Sequence, residues 1–187
     1  MKLTATKIPG CFKIEFIERR DARGSFVKIF QATAFRELGL EAVFTESFYS
    51  TSAAGVLRGM HFQLPPTDGA KLVYYLQGAV FDVALDLRID SPVYGQSVSF
   101  NLSQERATAV YIPRGVAHGF FVSDGPATLV YNISSEYDAA LDTGVLWNSF
   151  GMKWPEDAPL ISERDAHFPS LVEFKSPFRY APTEVHA

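Results

Sequence analysis

The sequence has 187 residues, of which 47% are hydrophobic and 20% charged, a composition typical of a single soluble globular domain. Its net charge of −4 argues against nucleic-acid binding, which needs a basic excess to neutralise phosphates. No segment has the ~20 apolar residues of a membrane helix, and the N-terminus lacks the apolar core of a signal peptide. A single cysteine, Cys11, cannot form an internal disulfide and suits a reducing compartment. We therefore expect a cytoplasmic protein with no membrane or nucleic-acid partner.

Strand signals dominate the chain from its N-terminus onwards. One early segment, 32–38, is instead predicted to be a short helix that ends at Gly39. After Trp154 the sequence becomes Pro-rich and charged, and 162–165 resembles a short capped helix. Runs rich in β-branched and aromatic residues between turn residues predict strands at 12–17, 25–30, 71–76, 80–87, 97–101, 108–112, 119–122 and 128–133. Many short strands with regular turns predict a β-sandwich or a β-barrel.

Two segments carry most of the chemical information. The first, GVLRGMHFQ at 55–63, contains His61, and the second, PRGVAHGF at 113–120, contains His118. Together they resemble the two signatures of the cupin superfamily. In metal-binding cupins the first signature continues as His-x-His with a following Glu, whereas this chain has Gln63 and no Glu nearby. Two imidazoles alone make a poor site, since zinc and iron sites normally have at least three protein ligands, so we expect no metal.

The resemblance is closest to one family with these signatures. It extends to KLV at 71–73, VFDVALDLR at 80–88, SPVYG at 91–95, WN at 147–148, WP at 154–155 and LISERD at 160–165. From about residue 21 to about residue 165, the chain is similar to the dTDP-4-dehydrorhamnose 3,5-epimerase family. This implies a mainly β fold, a jelly-roll (double-stranded β-helix) barrel forming one domain over 1–187. An N-terminal strand arm and a few short helices, mostly in a C-terminal extension, would complete it.

The family resemblance also implies a reaction, which is cofactor-independent epimerisation of a nucleotide-diphosphate-linked 4-keto-6-deoxyhexose at C3 and C5, or at C3 alone. A proton leaves the carbon beside the C4 carbonyl, which gives an enolate, and a proton returns from the opposite face. This chemistry needs a base, a group that stabilises the enolate oxygen, and an acid across the ring. His61 suits the base because the unperturbed pKa of imidazole is near neutrality. The resemblance assigns Asp165 as its partner, Lys71 as the charge near the C4 oxygen, and Tyr131 as the acid.

Further residues are predicted to bind the substrate. Arg58 and Arg23 are candidates for the diphosphate, since a guanidinium forks onto phosphate oxygens. Arg23 lies in DARGSF, which ends at Phe26 and resembles a family segment that crosses to the partner subunit, so the resemblance implies a homodimer. Tyr137 resembles an aromatic residue that borders the sugar or base pocket. His118 is expected near the site.

Two positions depart from the family pattern around the nucleobase. Lys28 replaces a usual Glu, and Glu46 replaces a usual Gln. Thymine presents acceptor, donor and acceptor along its pairing edge, whereas cytosine presents acceptor, acceptor and donor. An ammonium at Lys28 suits cytosine N3 or O2, and Glu46 can accept from the cytosine amino group. The family resemblance implies a dTDP-linked substrate, dTDP-4-dehydro-6-deoxyglucose, and the two exchanges make a CDP-linked sugar the alternative. The simpler alternative for the exchanges is that Lys28 and Glu46 pair with each other.

Other functions stay open at this point. A neighbouring reaction, such as 3,4-keto isomerisation, can use the same scaffold and the same residues. A non-catalytic sugar-binding or structural cupin would not need His61 or Asp165, and both are present. A metal-dependent dioxygenase would require bound iron. Sequence favours the epimerase among these, with a nucleotide-diphosphate sugar as its small-molecule partner.

Overall fold

A computed structural model describes residues 1–182 of the chain, most of which build β-strands and the loops between them. The helices of this part are α1 (Ala32–Glu37) and α2 (Glu163–Ala166), so the helices predicted at 32–38 and 162–165 are confirmed. Neither is long and apolar enough to cross a membrane. The strands are β1 (Lys2–Ala5), β2 (Phe12–Glu15), β3 (Glu18–Asp21), β4 (Gly24–Val27), β5 (Glu46–Ser52), β6 (Leu57–Gln63), β7 (Lys71–Asp86), β8 (Ser97–Ser103), β9 (Thr108–Ile112), β10 (Val116–Ile133) and β11 (Asp142–Gly144).

Strands β7 and β10 are long and bent, and each belongs to both layers of the barrel. The sequence predicts two strands in each of these regions, but each pair is one continuous strand. The first half of β7 pairs with β9 and the second half with β8. The first half of β10 pairs with β6, the second half with β5, and β10 follows β7 along its length. Gly78, whose φ is 77°, and register shifts around Asp124 mark the bends.

The large sheet is antiparallel, with the order β1-β2-β9-β7-β10-β6-β11, and β5 and β8 join it on β10 and β7. The first half of β7 and the second half of β10 form one layer with β1, β2, β9 and β5. The second half of β7 and the first half of β10 form a second layer with β8, β6 and β11. Two antiparallel layers that share bent strands make a jelly roll, as predicted from the sequence.

Buried hydrophobic residues form three clusters, one between the layers and one on the outer face of each. Phe35 of α1 belongs to the cluster that covers the first layer. Trp154 and Phe178 of the C-terminal extension belong to the cluster that covers the second. The neighbours Val83 and Ala84 on β7 point into different clusters and are both fully buried. Strands covered on both faces explain why the sequence there is a continuous apolar run rather than an alternation.

The hairpin β3–β4 is the N-terminal arm. It forms a two-stranded sheet that is separate from the nine-stranded one, and most of its residues are exposed. Arg23 at its turn forms an ion pair of 2.6 Å with Asp21, and Phe26 is 61% exposed. An exposed aromatic ring on a separate hairpin leaves apolar surface available for contact with another molecule.

Strands β6 and β10 approach each other closely where the two signature histidines lie. His61 on β6 and His118 on β10 are paired across the ladder. Gly59 has a φ of 147°, and a Cβ atom at that position would lie 2.6 Å from Cα of Gly119. Only glycine fits such a conformation and such a contact. The glycines beside the histidines in the two signatures therefore allow the strands that carry the histidines to meet.

Candidate active site

A cavity of about 270 Å³ opens into the barrel and contains most of the predicted site. Residues from β5, β6, β7, β10 and β11 line it, together with the loops between them. Seven of the predicted site residues are in this lining, namely His61, Lys71, Tyr131, Arg58, Glu46, His118 and Tyr137. Asp165 contacts His61 from behind the cavity wall, whereas the three predicted residues of the arm region lie elsewhere.

His61 and Asp165 form a hydrogen-bonded pair. Nε2 of His61 lies 2.8 Å from Oδ2 of Asp165, and the same oxygen accepts a bond of 3.2 Å from the Gly59 backbone N–H. Asp165 is 3% exposed and lies in the first turn of α2, where its N–H donates to the capping Ser162 hydroxyl at 3.1 Å. The capping sequence at 162–165 therefore fixes the carboxylate that holds the histidine ring.

The pair has a defined protonation state at neutral pH. Burial lowers the pKa of His61 below its ordinary value, and the nearby Asp165 only partly offsets this effect. Burial alone would raise the pKa of Asp165, but the hydrogen bond and charge of His61 and the Gly59 amide lower it to about 2. A neutral imidazole beside an ionised carboxylate donates from Nε2, so Nδ1 carries the free lone pair. His61 is thus equipped to accept a proton at Nδ1.

Lys71 brings a positive charge into the cavity. Its Nζ donates a hydrogen bond of 3.0 Å to the backbone oxygen of His61. Burial lowers the pKa of its ammonium from 10.5 to about 8, because desolvation disfavours the charged form, and Asp142 opposes this shift. Lys71 is therefore mostly charged at neutral pH but loses its proton within the range accessible to assays.

Tyr131 lines the cavity from the other layer of the barrel. His61 belongs to β6 of the second layer, and Tyr131 belongs to the half of β10 that pairs with β5 in the first. Its hydroxyl lies 3.5 Å from the Ser50 hydroxyl, and its ring stacks on Phe48 with centroids 4.8 Å apart. Burial raises the pKa of Tyr131 well above its ordinary value. The phenol therefore keeps its proton at neutral pH and is available as a proton donor.

A buried polar cluster supports His118, and sequence reasoning missed two of its members. Nε2 of His118 lies 2.7 Å from Oδ2 of Asp82, and Tyr75 donates to the same oxygen at 2.5 Å. Asp82 is fully buried, and its Oδ1 has no hydrogen-bond partner in the described part of the chain. A buried carboxylate needs hydrogen-bond partners, and His118 and Tyr75 supply them at one of its two oxygens. The sequence contains one sign of this cluster, because Asp82 is the single charged residue within the apolar run VFDVAL. A charged residue in a strand that is otherwise apolar indicates a buried hydrogen-bond partner.

A second missed group lies at the edge of the cavity. Arg164 forms ion pairs of 2.5 Å with Asp142 and 3.3 Å with Asp165, and both Arg164 and Asp142 line the cavity. Arg58, a predicted diphosphate ligand, donates from Nε to the Ser52 hydroxyl at 2.9 Å, which leaves its terminal nitrogens available. The cavity therefore holds three cationic side chains, two of them arginines suited to phosphate oxygens.

The predicted nucleobase residues are not assembled within one chain. Oε2 of Glu46 accepts the backbone N–H of Tyr137 at 2.5 Å, so one oxygen of this carboxylate is already engaged. Lys28 and Phe26 line a different depression, which lies beside α1. Lys28 and Glu46 form no ion pair within residues 1–182, so the simple pairing weighed for them does not occur in a single chain. Arg23 instead pairs with Asp21 on the arm.

No group of three or more His, Cys, Asp or Glu side chains among residues 1–182 is arranged to hold a metal ion. Nε2 of each signature histidine faces a carboxylate, at 2.8 Å in His61 and 2.7 Å in His118. Gln63, at the position of the second histidine in metal-binding cupins, uses its amide to bind backbone atoms of two loops. A metal-free reaction stays a prediction.

The bent-strand jelly roll, with both signature histidines lining its cavity, places the protein among the cupins. Residues 5–173 match the family model described as dTDP-4-dehydrorhamnose 3,5-epimerase. The dTDP-4-dehydrorhamnose 3,5-epimerase of Shigella flexneri is 38% identical over 176 residues, which are 92% of this chain and 97% of that protein. The chain belongs to the dTDP-4-dehydrorhamnose 3,5-epimerase family, a family of isomerases.

Solved structures agree in fold. A crystal structure of dTDP-6-deoxy-D-glucose-3,5-epimerase from Legionella pneumophila, in complex with dTDP-4-keto-L-rhamnose, superposes with a TM-score of 0.91 at 34% identity, covering 96% of this chain and 98% of that one. ChmJ, a 3′-monoepimerase from Streptomyces bikiniensis solved with dTDP-quinovose, gives 0.84 at 34% identity, covering 89% of this chain and 86% of that one. The predicted family and fold are confirmed, and similar structures include enzymes of both regiochemistries.

Proposed function

We propose that this protein epimerises C3 and C5 of dTDP-4-dehydro-6-deoxyglucose by proton abstraction beside the C4 ketone. The observation that carries the proposal is the arrangement of three groups around one cavity. A neutral histidine held by a carboxylate lies in one layer of the barrel, a protonated tyrosine lies in the other, and the partly buried ammonium of Lys71 lines the same cavity. These are the base, the acid and the enolate-stabilising charge that the reaction requires.

The proposed chemistry starts at Nδ1 of His61, which takes the proton from C3 or C5. The electron pair of the C–H bond moves into a carbon–carbon double bond, and the C4 carbonyl becomes an enolate oxygen. Asp165 stabilises the resulting imidazolium, and Lys71 stabilises the enolate. The enolate carbon then takes the hydroxyl proton of Tyr131 on its opposite face, which restores the ketone with inverted configuration. Solvent returns the two protein groups to their starting protonation states.

The substrate is tested by incubating the protein in deuterated water with dTDP-4-keto-6-deoxyglucose and, in parallel, with the CDP-linked sugar. We expect deuterium at both C3 and C5 of the dTDP sugar, measured by NMR or mass spectrometry. Label at C3 alone would make the protein a 3-epimerase. Exchange with the CDP sugar only would assign a cytosine site to Lys28 and Glu46. No exchange with either would contradict the epimerase and favour a non-catalytic sugar-binding cupin.

The pKa of Lys71 predicts the upper limit of the pH range of activity. If the enolate needs the ammonium, kcat/KM should fall as pH rises through about 8, because Lys71 is then deprotonated. Lys71→Met should be slow at every pH and should lack this decline. Lys153→Met, which makes the same change at an exposed position, should keep the profile of the wild type. A wild-type profile that stays flat to pH 10 would exclude a need for the charge of Lys71.

We also infer a homodimer in which the arm serves the cavity of a second copy. Its support is the separation of Arg23, Phe26 and Lys28 from the cavity of their own chain, although the family resemblance gives them to the substrate. The exposed ring of Phe26 is then covered in the dimer. A solution mass of twice 20.7 kDa checks the dimer, and a monomer at assay concentration would contradict it. A cytoplasmic location, a cofactor-free reaction and a single domain over 1–187 are part of the same proposal.

A further inference from the structure

Gln63 joins the two loops that flank the mouth of the cavity. It lies two residues after His61 on β6, so both side chains point to the same face of the strand, and both line the cavity. Its Nε2 donates to the backbone oxygens of Thr67 at 3.0 Å and Glu136 at 3.1 Å. Its Oε1 accepts the backbone N–H of Asp138 at 2.6 Å. One amide therefore ties the loop between β6 and β7 to the loop between β10 and β11.

These bonds bracket Tyr137. The Gln63 amide binds the residue before Tyr137 through its carbonyl and the residue after it through its N–H. The N–H of Tyr137 itself donates to Oε2 of Glu46 at 2.5 Å. Three hydrogen bonds thus fix three consecutive residues, while the side chain of Tyr137 lines the cavity and is 60% exposed. An exposed ring on a fixed backbone can present its face to a ligand with little loss of conformational entropy on binding.

We infer that Gln63 is a positioning residue, which together with Glu46 holds Tyr137 at the cavity mouth and so determines the affinity for the nucleotide part of the substrate. The inference rests on the proposed function, because it takes Tyr137 as the aromatic residue that borders the nucleotide sugar. It also gives Glu46 a role within the protein, which is to accept the backbone N–H of Tyr137. That role differs from accepting a hydrogen bond from a cytosine amino group. Gln63 does not act on the reacting carbons.

The chemistry of the site explains why an amide occupies this position. Two carbonyl oxygens, one N–H and, at 3.5 Å, the Ser135 hydroxyl surround the Gln63 side chain, and an amide, with both donors and an acceptor, satisfies the carbonyls and the N–H. A carboxylate of the same shape would keep the bond from Asp138 but would place an oxygen against the carbonyls of Thr67 and Glu136. These oxygens would repel each other, and the Glu136 carbonyl would lose its donor, whereas the Thr67 carbonyl would keep the Ser135 hydroxyl at 2.7 Å.

Gln63→Glu tests the inference with the least change in shape. We expect the Kd for dTDP, measured by calorimetry, and the KM for the dTDP sugar both to rise about 10-fold or more, as loss of several hydrogen bonds implies. We expect kcat to change by less than about threefold, because the groups around His61 are untouched. Gln77→Glu is the matched control, since Gln77 is exposed on β7, and it should leave all three values unchanged.

A double mutant separates positioning from general damage. If Gln63 acts through Tyr137, then Tyr137→Ala should raise the Kd by a similar factor, and adding Gln63→Glu to it should cause little further increase. Additive effects, or a loss of kcat with an unchanged KM, would overturn the inference. If Gln63→Glu does not fold, Gln63→Ala combined with Tyr137→Ala gives the same test. If the wild-type protein binds dTDP but does not epimerise the sugar, the proposed function is wrong and this inference is not affected. If Gln63→Glu leaves the Kd for dTDP unchanged, this inference is wrong and the proposed function is not affected.

Discussion

Replacing His61 with alanine is expected to lower kcat for epimerisation by about 10³-fold or more, because it removes the imidazole whose free Nδ1 takes the proton. Asp165→Asn should cause a loss of about 10²- to 10³-fold, since it removes the negative charge that stabilises the imidazolium and loosens control of the tautomer. The measurement is the rate of deuterium entry at C3 and C5 of the dTDP sugar. Both variants should lose exchange and epimerisation together, because proton removal is the step that fails.

The control for this pair is His167→Ala, which removes an exposed imidazole whose Nδ1 contacts the backbone oxygen of Glu163. It should retain most of the wild-type rate. The Kd for dTDP should stay close to the wild-type value in His61→Ala, which shows that the cavity is still formed. Persistent exchange in His61→Ala would reassign the base, and His118 would then be the next imidazole to test.

The sequence was most informative where local rules decide the structure. The cap at 162–165 could be predicted because a serine hydroxyl and the first-turn N–H groups are close in the chain, and that cap holds Asp165. The two signatures located His61 and His118 through the family resemblance, but β6, which carries His61, was not among the predicted strands. The division of 71–87 into two strands was wrong in one respect: Gly78 bends the strand without ending its ladder. In the sequence, a glycine that bends a continuous strand cannot be distinguished from a glycine in a turn between two strands.

The rest of the site could not be predicted because its contacts join residues that are distant in sequence. Asp82 meets His118 across 36 positions, and Gln63 meets Asp138 across 75, so no local pattern contains either pair. The family resemblance supplied residues with roles and one pair, His61 with Asp165, whereas the structure supplies the other supporting partners. Glu46 illustrates the difference: its charge suggested a base-reading role, but one of its oxygens accepts a backbone N–H.

Replacing Tyr131 with phenylalanine should separate proton removal from inversion. His61 would still take the proton, and its imidazolium would exchange with solvent and return deuterium to the same face. We therefore expect epimer formation to fall by about 10²- to 10³-fold, while deuterium enters the recovered substrate with retained configuration at a rate within about 10-fold of the wild type. The stack on Phe48 needs only the ring, so the shape of the cavity is kept.

Tyr49→Phe is the matched control, because Tyr49 lies on β5 one residue after Phe48 and is 70% exposed. It should match the wild type in both exchange and inversion. A parallel loss of both in Tyr131→Phe would mean that the hydroxyl helps to form the enolate rather than to quench it. Unimpaired inversion would assign the acid to another donor that lines the cavity. If Tyr131→Phe keeps exchange but loses inversion, the base and the acid are two different groups on opposite faces of the sugar ring. A base in one layer of the barrel and a phenol in the other provide this arrangement.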